Sequence, residues 1–532
     1  MTLASAAPVA GMWPVLAASG SRGSGRSHRR KVAEEAGTGM LTRFRADLRD
    51  VLLRYETRTS GPHRRFVLFL ILVGTALRAW MLFKPVTYDE AFAYITFATQ
   101  PFAGIISDYS HPSNHVFHTL LVKLSTGIFG TGLVSMRLPA FIAGVLTMPF
   151  FYLFVRGMFN RYIALMALAL VASSGGLIEY SALSHGFSIT WLCMVVALVL
   201  GRHLINENNP VSAVLIGVVC ALGAWSVPTM FLIAAMIHIW LFLSLVFKYE
   251  QSLRARLVNL LLSLVVFILV ALLLYLPVVM RHGLDQLFHH AVSPEHTWKL
   301  FTRHYGDEAL DLWAYFSDTA AAWIAILGFA GLFQATYISS KYRMLTMGMA
   351  LGSIPLVMLL AEVGPPRIWL FTLYIFHLSS AIALFYLLKF VQDKMLPGFG
   401  KRVRTAGACL LLLLLAVPGM STIRHRVPRY PEAAHIADYL AKELQPGDHV
   451  LADVLWEAPI AFHLMAHDIN VGVVGGAPTP GHMGYVAVSK QGDGSMDLVL
   501  RYNELDSMSF SEPTMVKEWE RMEIFAARYQ GH

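Results

Sequence analysis

Two adjacent carboxylates directly follow the first long apolar run of the chain. Asp89 and Glu90 lie in the stretch FKPVTYDEAFAYITFA, which begins at Phe83 and returns at once to aromatic and apolar residues. A carboxylate at the edge of a bilayer is costly unless it is used, paired or hydrated, and a well-placed carboxylate can accept a proton from a hydroxyl group. The alternative is that the pair only begins a helix, because acidic side chains are favoured at a helix N-terminus. The apolar residues after the pair are expected to face lipid along an interfacial helix.

A second polar cluster occupies the next part of the same segment. The stretch DYSHPSNHVFH contains Asp108, His111, Asn114 and His115. Carboxylates and imidazoles together can bind a divalent metal ion or a phosphate group, so Asp89, Asp108 and His111 are the candidate metal ligands. No spacing among them is diagnostic of a metal site, and interfacial histidines are also common without a ligand. Binding of a metal ion therefore stays an open alternative.

Positive groups on the same side could neutralise a phosphate group. The best candidate is Arg367 in GPPRIWLF, where two prolines fix the turn before an apolar run and a guanidinium can contact phosphate through two hydrogen bonds. The alternative is that Arg367 only reaches lipid headgroups. Arg137 and His185 are second candidates. Glu179 and Tyr180, at the end of another apolar run, are expected to line the same cavity, unless Glu179 merely ends its helix.

The composition indicates that membrane helices position these groups. Hydrophobic residues make up 56% of the 532 residues and charged residues only 14%, with a mean hydropathy of +0.54, whereas soluble domains carry roughly 25% charged residues. An apolar run of about 18 residues is long enough to cross the hydrocarbon core. The candidate spans are residues 66–84, 137–155, 162–178, 186–203, 211–225, 229–247, 257–279, 320–338, 344–361, 368–388 and 405–420.

Basic residues favour one side of these spans. With the N-terminal arm inside, the cytoplasmic connections include the basic residues Arg156, Arg202, Lys248, Lys341 and Lys389. This alternation agrees with the positive-inside rule. The net charge of +8 therefore concerns topology and not the binding of nucleic acid. The same alternation predicts that the segment with Asp89 and the C-terminal tail are extracytoplasmic.

The chain divides into three predicted regions. Residues 1–62 are rich in Gly, Ser and Arg and predict a disordered basic cytoplasmic arm, and residues 63–420 form the membrane domain. Its external loop 85–136 contains HVFHTLLVKLSTGIFG, whose apolar residues share one helical face and predict an interfacial helix. A further external loop is expected at 280–319, covering the site. Residues 421–532 predict a small extracytoplasmic α/β domain, so the fold class is an all-α polytopic membrane protein with about 11 transmembrane helices and this added domain.

Three stretches carry a resemblance to a known family. TYDEAFAY, DYSHPSNHVFHTLLVKLSTGIFG and RLPAFIAGVLTMPFFYLFVRGMFNRYIALMALALVASSG together resemble the glycosyltransferase C superfamily. More narrowly, the chain resembles bacterial proteins related to protein O-mannosyltransferases and to the lipid A aminoarabinose transferase, and is similar to glycosyltransferase family 39. The resemblance is densest over residues 85–190. The chain departs from the family pattern at Ser113, where a second proline is common, and at Ser184–Phe187, where an Arg-Gly-Tyr-like element is common.

The resemblance implies transfer of a sugar from a polyprenyl-phosphate carrier on the outer face of the bacterial inner membrane. The acceptor is a hydroxyl group of a protein, a lipid or a glycan. Asp89 and Glu90 are the catalytic candidates, with Asp89 as the general base of a direct, inverting displacement; a retaining reaction needs a second carboxylate as nucleophile. Glu90 orients the loop or the acceptor, because neighbours on a helix point about 100° apart. The resemblance leaves a divalent metal ion open as a cofactor, since some relatives use a metal and others do not.

Two other classes of function stay open. A transporter or flippase-like permease would carry polar or interrupted residues inside several spans near the midplane. Apart from Arg78, the spans are largely free of charge and the polar clusters concentrate on one side, which favours an enzyme. A catalytically degenerate scaffold or sensor is the other alternative. Asp89 argues against it, whereas the missing arginine element at residues 184–187 keeps it open.

Overall fold

The computed structural model describes residues 60–248, 253–289, 298–320, 322–360, 364–395, 401–415, 427–490 and 494–531, together with Thr42 and Arg45. Most of the predicted arm 1–62 lies outside the described residues, as does the segment 416–426 between the predicted membrane and C-terminal domains. Arg64–His532 is a compact unit, and the features that follow belong to it, except for the first three residues of the first helix.

Helices form most of this unit. In chain order, the helices before the sheet are α1 (Gly61–Met81), α2 (Tyr88–Ala93), α3 (Phe102–Ser107), α4 (Val116–Phe129), α5 (Leu133–Met158), α6 (Arg161–Ser173), α7 (Gly175–Ala182), α8 (Phe187–Glu207), α9 (Pro210–Ser226), α10 (Met230–Val246), α11 (Leu253–His289), α12 (Trp298–Ala320), α13 (Ala322–Ile338), α14 (Ser340–Leu360), α15 (Thr372–Met395) and α16 (Lys401–Leu415). A helix lies in each of the eleven apolar stretches predicted as spans.

Several of these helices can cross a membrane. Within the described residues, four helices are long and apolar enough to do so, namely α5, α8, α11 and α15, and the bent pair α6–α7 makes a fifth if it counts as one span. Helix α11 exposes Leu261, Leu269, Leu272 and Leu273, each by more than half. Apolar surface of this extent is rare on soluble monomers. The chain therefore has the helices of a multi-pass membrane protein, and eleven crossings stay a prediction.

Arg78, a charged residue within a predicted span, stabilises the bend between α6 and α7. The two helices meet at an angle of 57°, and a helix that ends leaves its last carbonyl groups without intrahelical partners. Arg78 of α1 is fully buried and donates to the carbonyl groups of Val171 (3.2 Å) and Ala172 (3.3 Å) at the end of α6. Its positive charge also suits a helix C-terminus. Arg78 thus has a structural role, and its buried charge does not indicate a transport path.

The loop between α1 and α5 begins with a well-capped helix. The Thr87 hydroxyl accepts from the backbone N–H of Glu90 (3.3 Å), and the Glu90 carboxylate accepts from the backbone N–H of Thr87 (3.1 Å). This is a capping box, which the residues Thr-Tyr-Asp-Glu can form because threonine and glutamate are three residues apart. Helix α2 then continues as a π-helical turn at Tyr94–Ala98. The alternative that the acidic pair begins a helix is therefore correct for Glu90.

Helix α4 turns polar residues toward the protein and exposes apolar residues in its C-terminal half, whereas Val116 and Val122 are buried. His118, Thr119 and Ser125 are buried, whereas Leu124 and Ile128 are exposed by 48% and 73%. An exposed apolar stripe on a helix of 14 residues agrees with the prediction of a helix lying in the membrane interface.

A small mixed sheet follows the last membrane helix. Its elements are α17 (Glu432–Glu443), β1 (His449–Ala452), α18 (Val454–Ala466), β2 (Met483–Ser489), α19 (Met496–Tyr502), β3 (Thr514–Glu518) and β4 (Met522–Arg528). The strand order is β1-β2-β4-β3; β1 and β2 are parallel, and β4 is antiparallel to both of its neighbours. Alternate strand residues face α17 and α18 on one side and α19 on the other, because side chains of a strand point to opposite faces.

The sheet region packs directly on the loop that carries the acidic pair. The backbone N–H of Tyr430 donates to the carbonyl group of Val86 (3.1 Å), and the rings of Tyr94 and Phe462 meet edge to face at 5.3 Å. This packing corrects one expectation. Ala91, Tyr94 and Phe97, expected to face lipid, are buried, because protein covers this side of α2 and of the π-helical turn. The described residues of the predicted external loop 280–319 are helical in α11 and α12, apart from a kink at Gly283.

Candidate active site

Asp89 and Arg367 form an ion pair that is open to solvent. Asp89 lies in the first turn of α2, and Arg367 lies in a short 3-10 turn, Pro366–Trp369, that follows Pro365. Their closest atoms, Asp89 Oδ2 and Arg367 Nη1, are 3.4 Å apart, and the two side chains are 46% and 50% exposed. The sequence placed both residues at the site, and the structure brings them together across 278 positions. A carboxylate and a guanidinium are therefore available here to a ligand.

Glu90 has an environment opposite to that of its neighbour. Its side chain and that of Arg137 are fully buried, and Arg137 donates from Nε and Nη2 to the two carboxylate oxygens, each at 2.7 Å. The backbone N–H of Ser184 also donates to Glu90 (2.7 Å). Burial alone would raise the pKa of Glu90, but the Arg137 guanidinium and these hydrogen bonds lower it to about 2. Glu90 is thus a permanent anion that joins α2, α5 and the turn after α7.

Arg137 cannot bind a phosphate group as the sequence suggested. Its Nη1 donates to the carbonyl groups of Leu82 (2.9 Å) and Lys84 (2.5 Å), and its Nη2 also donates to that of Pro85 (3.1 Å). With the two bonds to Glu90, all five guanidinium N–H groups have acceptors. Arg137 instead fixes the backbone that leads into α2.

A second buried ion pair involves a residue that the sequence analysis missed. Glu179 of α7 is 1% exposed and pairs with Arg429, which is 12% exposed and lies just before the small sheet. Arg429 also donates to the carbonyl group of Pro85 (2.9 Å). Glu179 therefore neither ends its helix in solvent nor lines the cavity with a free carboxylate. One signal was available, because Arg429 is a basic residue in a segment that the positive-inside rule places outside.

Aromatic and imidazole rings surround the open ion pair. Tyr180 and His185 lie within electrostatic range of both Asp89 and Arg367. The His115 and His185 rings are 5.4 Å apart, and His115 Nδ1 accepts from the backbone N–H of Gly186 (2.8 Å). Burial and the nearby histidines hold the pKa of His115 well below its usual value, and burial likewise lowers the pKa of His185 although Asp89 and Glu90 oppose that shift. Both rings are therefore neutral at pH 7.

The predicted metal candidates do not come together. Asp108 accepts from Gln100 Nε2 (3.1 Å) and the backbone N–H of Ser110 (3.0 Å), while Asp89 pairs with Arg367. His111 is exposed and lies against Phe92, with ring centroids 5.1 Å apart. Among the described residues, no three His, Cys, Asp or Glu side chains are grouped so that they could hold a metal ion. The proposed set of Asp89, Asp108 and His111 is therefore wrong as a shared site.

Asn114 has a structural place in the same loop. Its Nδ2 donates to the carbonyl groups of Ile105 (3.0 Å) and Asp108 (2.6 Å), and the side chain is buried. Direct contact of Asn114 with a substrate is not supported, because this amide closes the turn between α3 and α4.

Helix α12 covers the site from the side. It contacts α7 and the Pro366–Trp369 turn, and Tyr315 of α12 is hydrogen-bonded to Tyr180. Residues that the sequence assigned to a covering loop therefore do cover the site, but as a helix.

Comparisons with known proteins agree with this architecture. Residues 110–275 match the family model described as Dolichyl-phosphate-mannose-protein mannosyltransferase. ArnT from Cupriavidus metallidurans bound to undecaprenyl phosphate has a TM-score of 0.57 at 12% identity, covering 88% of this chain and 98% of that chain. The chain has the glycosyltransferase C fold.

Two further comparisons support the same fold. ArnT in the apo state has a TM-score of 0.58 at 13% identity over the same shares, 88% of this chain and 98% of that chain. The Archaeoglobus fulgidus oligosaccharyltransferase in complex with Zn and sulfate has a TM-score of 0.51 at 18% identity, covering 76% of this chain and 62% of that chain. No curated protein matches the chain in sequence. The resemblance predicted from the sequence is confirmed, and the chain is similar to membrane glycosyltransferases.

Proposed function

We propose that this protein is a membrane glycosyltransferase that moves a sugar from a polyprenyl-phosphate carrier to a hydroxyl acceptor. The observation that carries the proposal is the solvent-open pair of Asp89 and Arg367, 3.4 Å apart, in a chain with the glycosyltransferase C fold. The pair supplies one base and one phosphate ligand beside the apolar helices, at the depth where a lipid-borne phosphate would emerge. The proposed location is the bacterial inner membrane, with the site on the extracytoplasmic face.

In the proposed reaction, Asp89 accepts the proton of the acceptor hydroxyl group as its oxygen attacks the anomeric carbon of the sugar. The bond between that carbon and the phosphate oxygen breaks, and the carrier phosphate leaves with the bonding electrons. Arg367 binds this phosphate and neutralises its growing charge. An exposed ion pair contributes only about 0–1 kcal/mol, so the donor phosphate can take Arg367 from Asp89 at little cost.

Direct displacement with inversion is the favoured course. A retaining reaction needs a second free carboxylate near the anomeric carbon. Two carboxylates close to Asp89, those of Glu90 and Glu179, are both buried and paired with arginines. Glu90 is therefore reassigned from catalysis to positioning of the loop. A divalent metal ion is not needed in this scheme, since Arg367 supplies the positive charge.

Arg78 is the charged residue within a predicted span that would suit a transporter, but its position has another explanation. Arg78 donates to carbonyl groups at the bend between α6 and α7, so it does not indicate a path through the membrane. An exposed carboxylate beside an exposed guanidinium at one site suits an enzyme better than a scaffold without activity. We therefore favour the enzyme over both alternatives.

The test is turnover by Asp89→Asn in membranes or detergent. Undecaprenyl-phosphate-linked sugars are supplied as a panel, and release of undecaprenyl phosphate is measured with and without added hydroxyl acceptors. We expect a loss of about 10²- to 10⁴-fold, the usual contribution of a general base. Asp497→Asn is the matched control, because Asp497 is an exposed residue of α19. Near-normal turnover by Asp89→Asn would disprove the assignment of the base.

A further inference from the structure

We propose that Arg429 is a positioning residue, through which the C-terminal region sets the location of Asp89. The inference rests on the proposed function of Asp89. The C-terminal region thereby takes part in the reaction, although no residue of that region needs to touch the substrate. Three parts of the chain meet at Arg429: the loop before α2, helix α7 of the bent α6–α7 pair, and the segment that leads into the sheet.

The guanidinium of Arg429 makes two contacts within the protein. Its Nη2 pairs with Glu179 of α7, and its Nη1 donates to the carbonyl group of Pro85 (2.9 Å). The next residue, Tyr430, donates its backbone N–H to the carbonyl group of Val86 (3.1 Å). Two consecutive residues of the C-terminal region therefore hold two consecutive carbonyl groups that stand just before α2.

The same backbone is held from the other side by Arg137. The carbonyl group of Pro85 accepts from Arg137 (3.1 Å) and from Arg429 (2.9 Å). Each arginine is neutralised by a buried glutamate, Glu90 for Arg137 and Glu179 for Arg429. The segment from Pro85 to Asp89 is thus fixed between two buried ion pairs. A catalytic group that is displaced by about 1 Å can lose 10²-fold in rate, so such fixation matters for Asp89.

Arg429 is not a second phosphate ligand. Its side chain is 12% exposed, whereas that of Arg367 is 50% exposed. Drawing it toward a phosphate group would leave the Glu179 carboxylate buried without its partner, which is costly. We therefore expect Arg429 to affect the rate of the chemical step and not the affinity for the donor.

The experiment compares kcat and KM for undecaprenyl-phosphate-linked sugar in the full-length protein. Arg429→Met alone leaves Glu179 as an unpaired buried charge and can fail to fold. The double variant Arg429→Met/Glu179→Leu removes both charges and keeps the volume, so it tests the contact with the Pro85 carbonyl group. We expect kcat of the double variant to fall at least about tenfold while KM for the donor stays within about threefold. Arg528→Met is the matched control, because Arg528 is exposed on β4.

Hydrogen exchange gives a readout that does not depend on activity. Backbone amides of residues 86–93 should exchange faster in the double variant than in the wild type, and they should be unchanged in Arg528→Met. A double variant with wild-type kcat, or with unchanged exchange in this segment, would overturn the inference. If Asp89→Asn keeps its turnover, the proposed function fails instead, and hydrogen exchange still tests whether Arg429 anchors the loop.

Discussion

Asp89 and Glu90 are adjacent in sequence, but they lie in different surroundings. The Asp89 side chain is 46% exposed and has one partner at 3.4 Å, whereas the Glu90 side chain is fully buried in a bidentate contact with Arg137 at 2.7 Å. A loosely paired, hydrated carboxylate can exchange its partner for a substrate. A buried carboxylate that is held by an arginine and a backbone N–H cannot. The two acids therefore have separate parts: Glu90 is structural, and Asp89 is the one available for the proposed chemistry.

At the same scale, Arg367→Ala should weaken donor binding. Loss of a hydrogen bond to a charged group costs about 1.5–3 kcal/mol, which corresponds to a rise in KM for the donor of roughly 10- to 100-fold. Arg367→Lys should retain part of the affinity, because it keeps the charge but loses the bidentate geometry. The measurement is KM for undecaprenyl-phosphate-linked sugar, with Arg501→Ala on exposed α19 as the control. An unchanged KM in Arg367→Ala would exclude the phosphate role.

Replacing Glu90 should affect stability more than chemistry. Glu90→Gln leaves the buried Arg137 without its counter-charge, and breaking a buried pair costs about 3–5 kcal/mol. The folded-state pKa of Glu90 is lowered to about 2 from 4.5. Its contribution is therefore complete above about pH 4.5 and is lost as the pH falls toward 2.

The measurement is the thermal unfolding midpoint of the detergent-solubilised full-length chain as a function of pH. The difference between wild type and Glu90→Gln should be constant from pH 5 to 7 and should shrink below the unfolded-state pKa. Glu443→Gln, on an exposed position of α17, should differ little from the wild type. A difference that grows on acidification would contradict the ion pair.

At the scale of elements, the sequence predicts helices well and their mutual contacts poorly. Apolar runs locate a helix in each predicted span, because a membrane leaves the backbone few other ways to satisfy its hydrogen bonds. The Asp89–Arg367 site was also predicted, since both residues flank apolar runs on the same side. Arg429 was missed because its partners are 250 and 344 positions away. No local sequence pattern reveals a contact between residues so far apart in the chain. For the same reason, the sequence indicated Arg137 as a phosphate ligand and not as the partner of Glu90.

The close contact between α5 and α7 gives a test at this scale. A Cβ atom added at Gly144 of α5 would lie 2.4 Å from the Cβ and Oγ atoms of Ser181 of α7. Gly144→Ala should therefore push α7 away and displace Glu179 and Tyr180, which lowers kcat. Overpacking of this kind typically costs about 1–3 kcal/mol, so we also expect a lower unfolding midpoint.

A compensating variant makes the test specific. Gly144→Ala/Ser181→Gly removes the clashing atoms, and the nearest remaining contact is the Cα atom of residue 181 at 3.3 Å. The double variant should recover kcat relative to Gly144→Ala. Gly127→Ala on α4 is the control, because a Cβ atom there meets nothing within 4 Å. Failure of Ser181→Gly to rescue Gly144→Ala would show that the contact does not set the position of α7.

At the scale of the whole molecule, packing ties the C-terminal sheet to the loop that carries Asp89. Tyr430 bonds to the loop backbone at Val86, and Ala458 and Phe462 of α18 share an apolar cluster with Val86 and Ala91. Both regions must therefore lie on the same side of the membrane. The positive-inside rule separately predicts that this side is extracytoplasmic. The two arguments are independent, because one uses contacts and the other uses charge.

Cysteine labelling in intact cells tests both arguments. The native cysteines Cys193, Cys220 and Cys409 are buried, so the wild type should give little background with a membrane-impermeant maleimide. Pro112→Cys in the outer loop and Met508→Cys in the C-terminal region are exposed positions and should both react. Lys341→Cys, which lies in a predicted cytoplasmic connection, should react only after the cells are opened.

The pattern of labelling separates the two arguments. If positions 112 and 508 react only in opened cells while 341 reacts in intact cells, the packing is correct and the orientation is reversed. In that case Asp89 would face a cytoplasmic donor. If 112 and 508 react from opposite sides, the contact between Tyr430 and Val86 cannot exist in the native protein, and the positioning of Asp89 by the C-terminal region fails with it. Reaction of 112 and 508 alone in intact cells would place the loop that carries Asp89 and the sheet together on the outer face, where the proposed donor phosphate is expected.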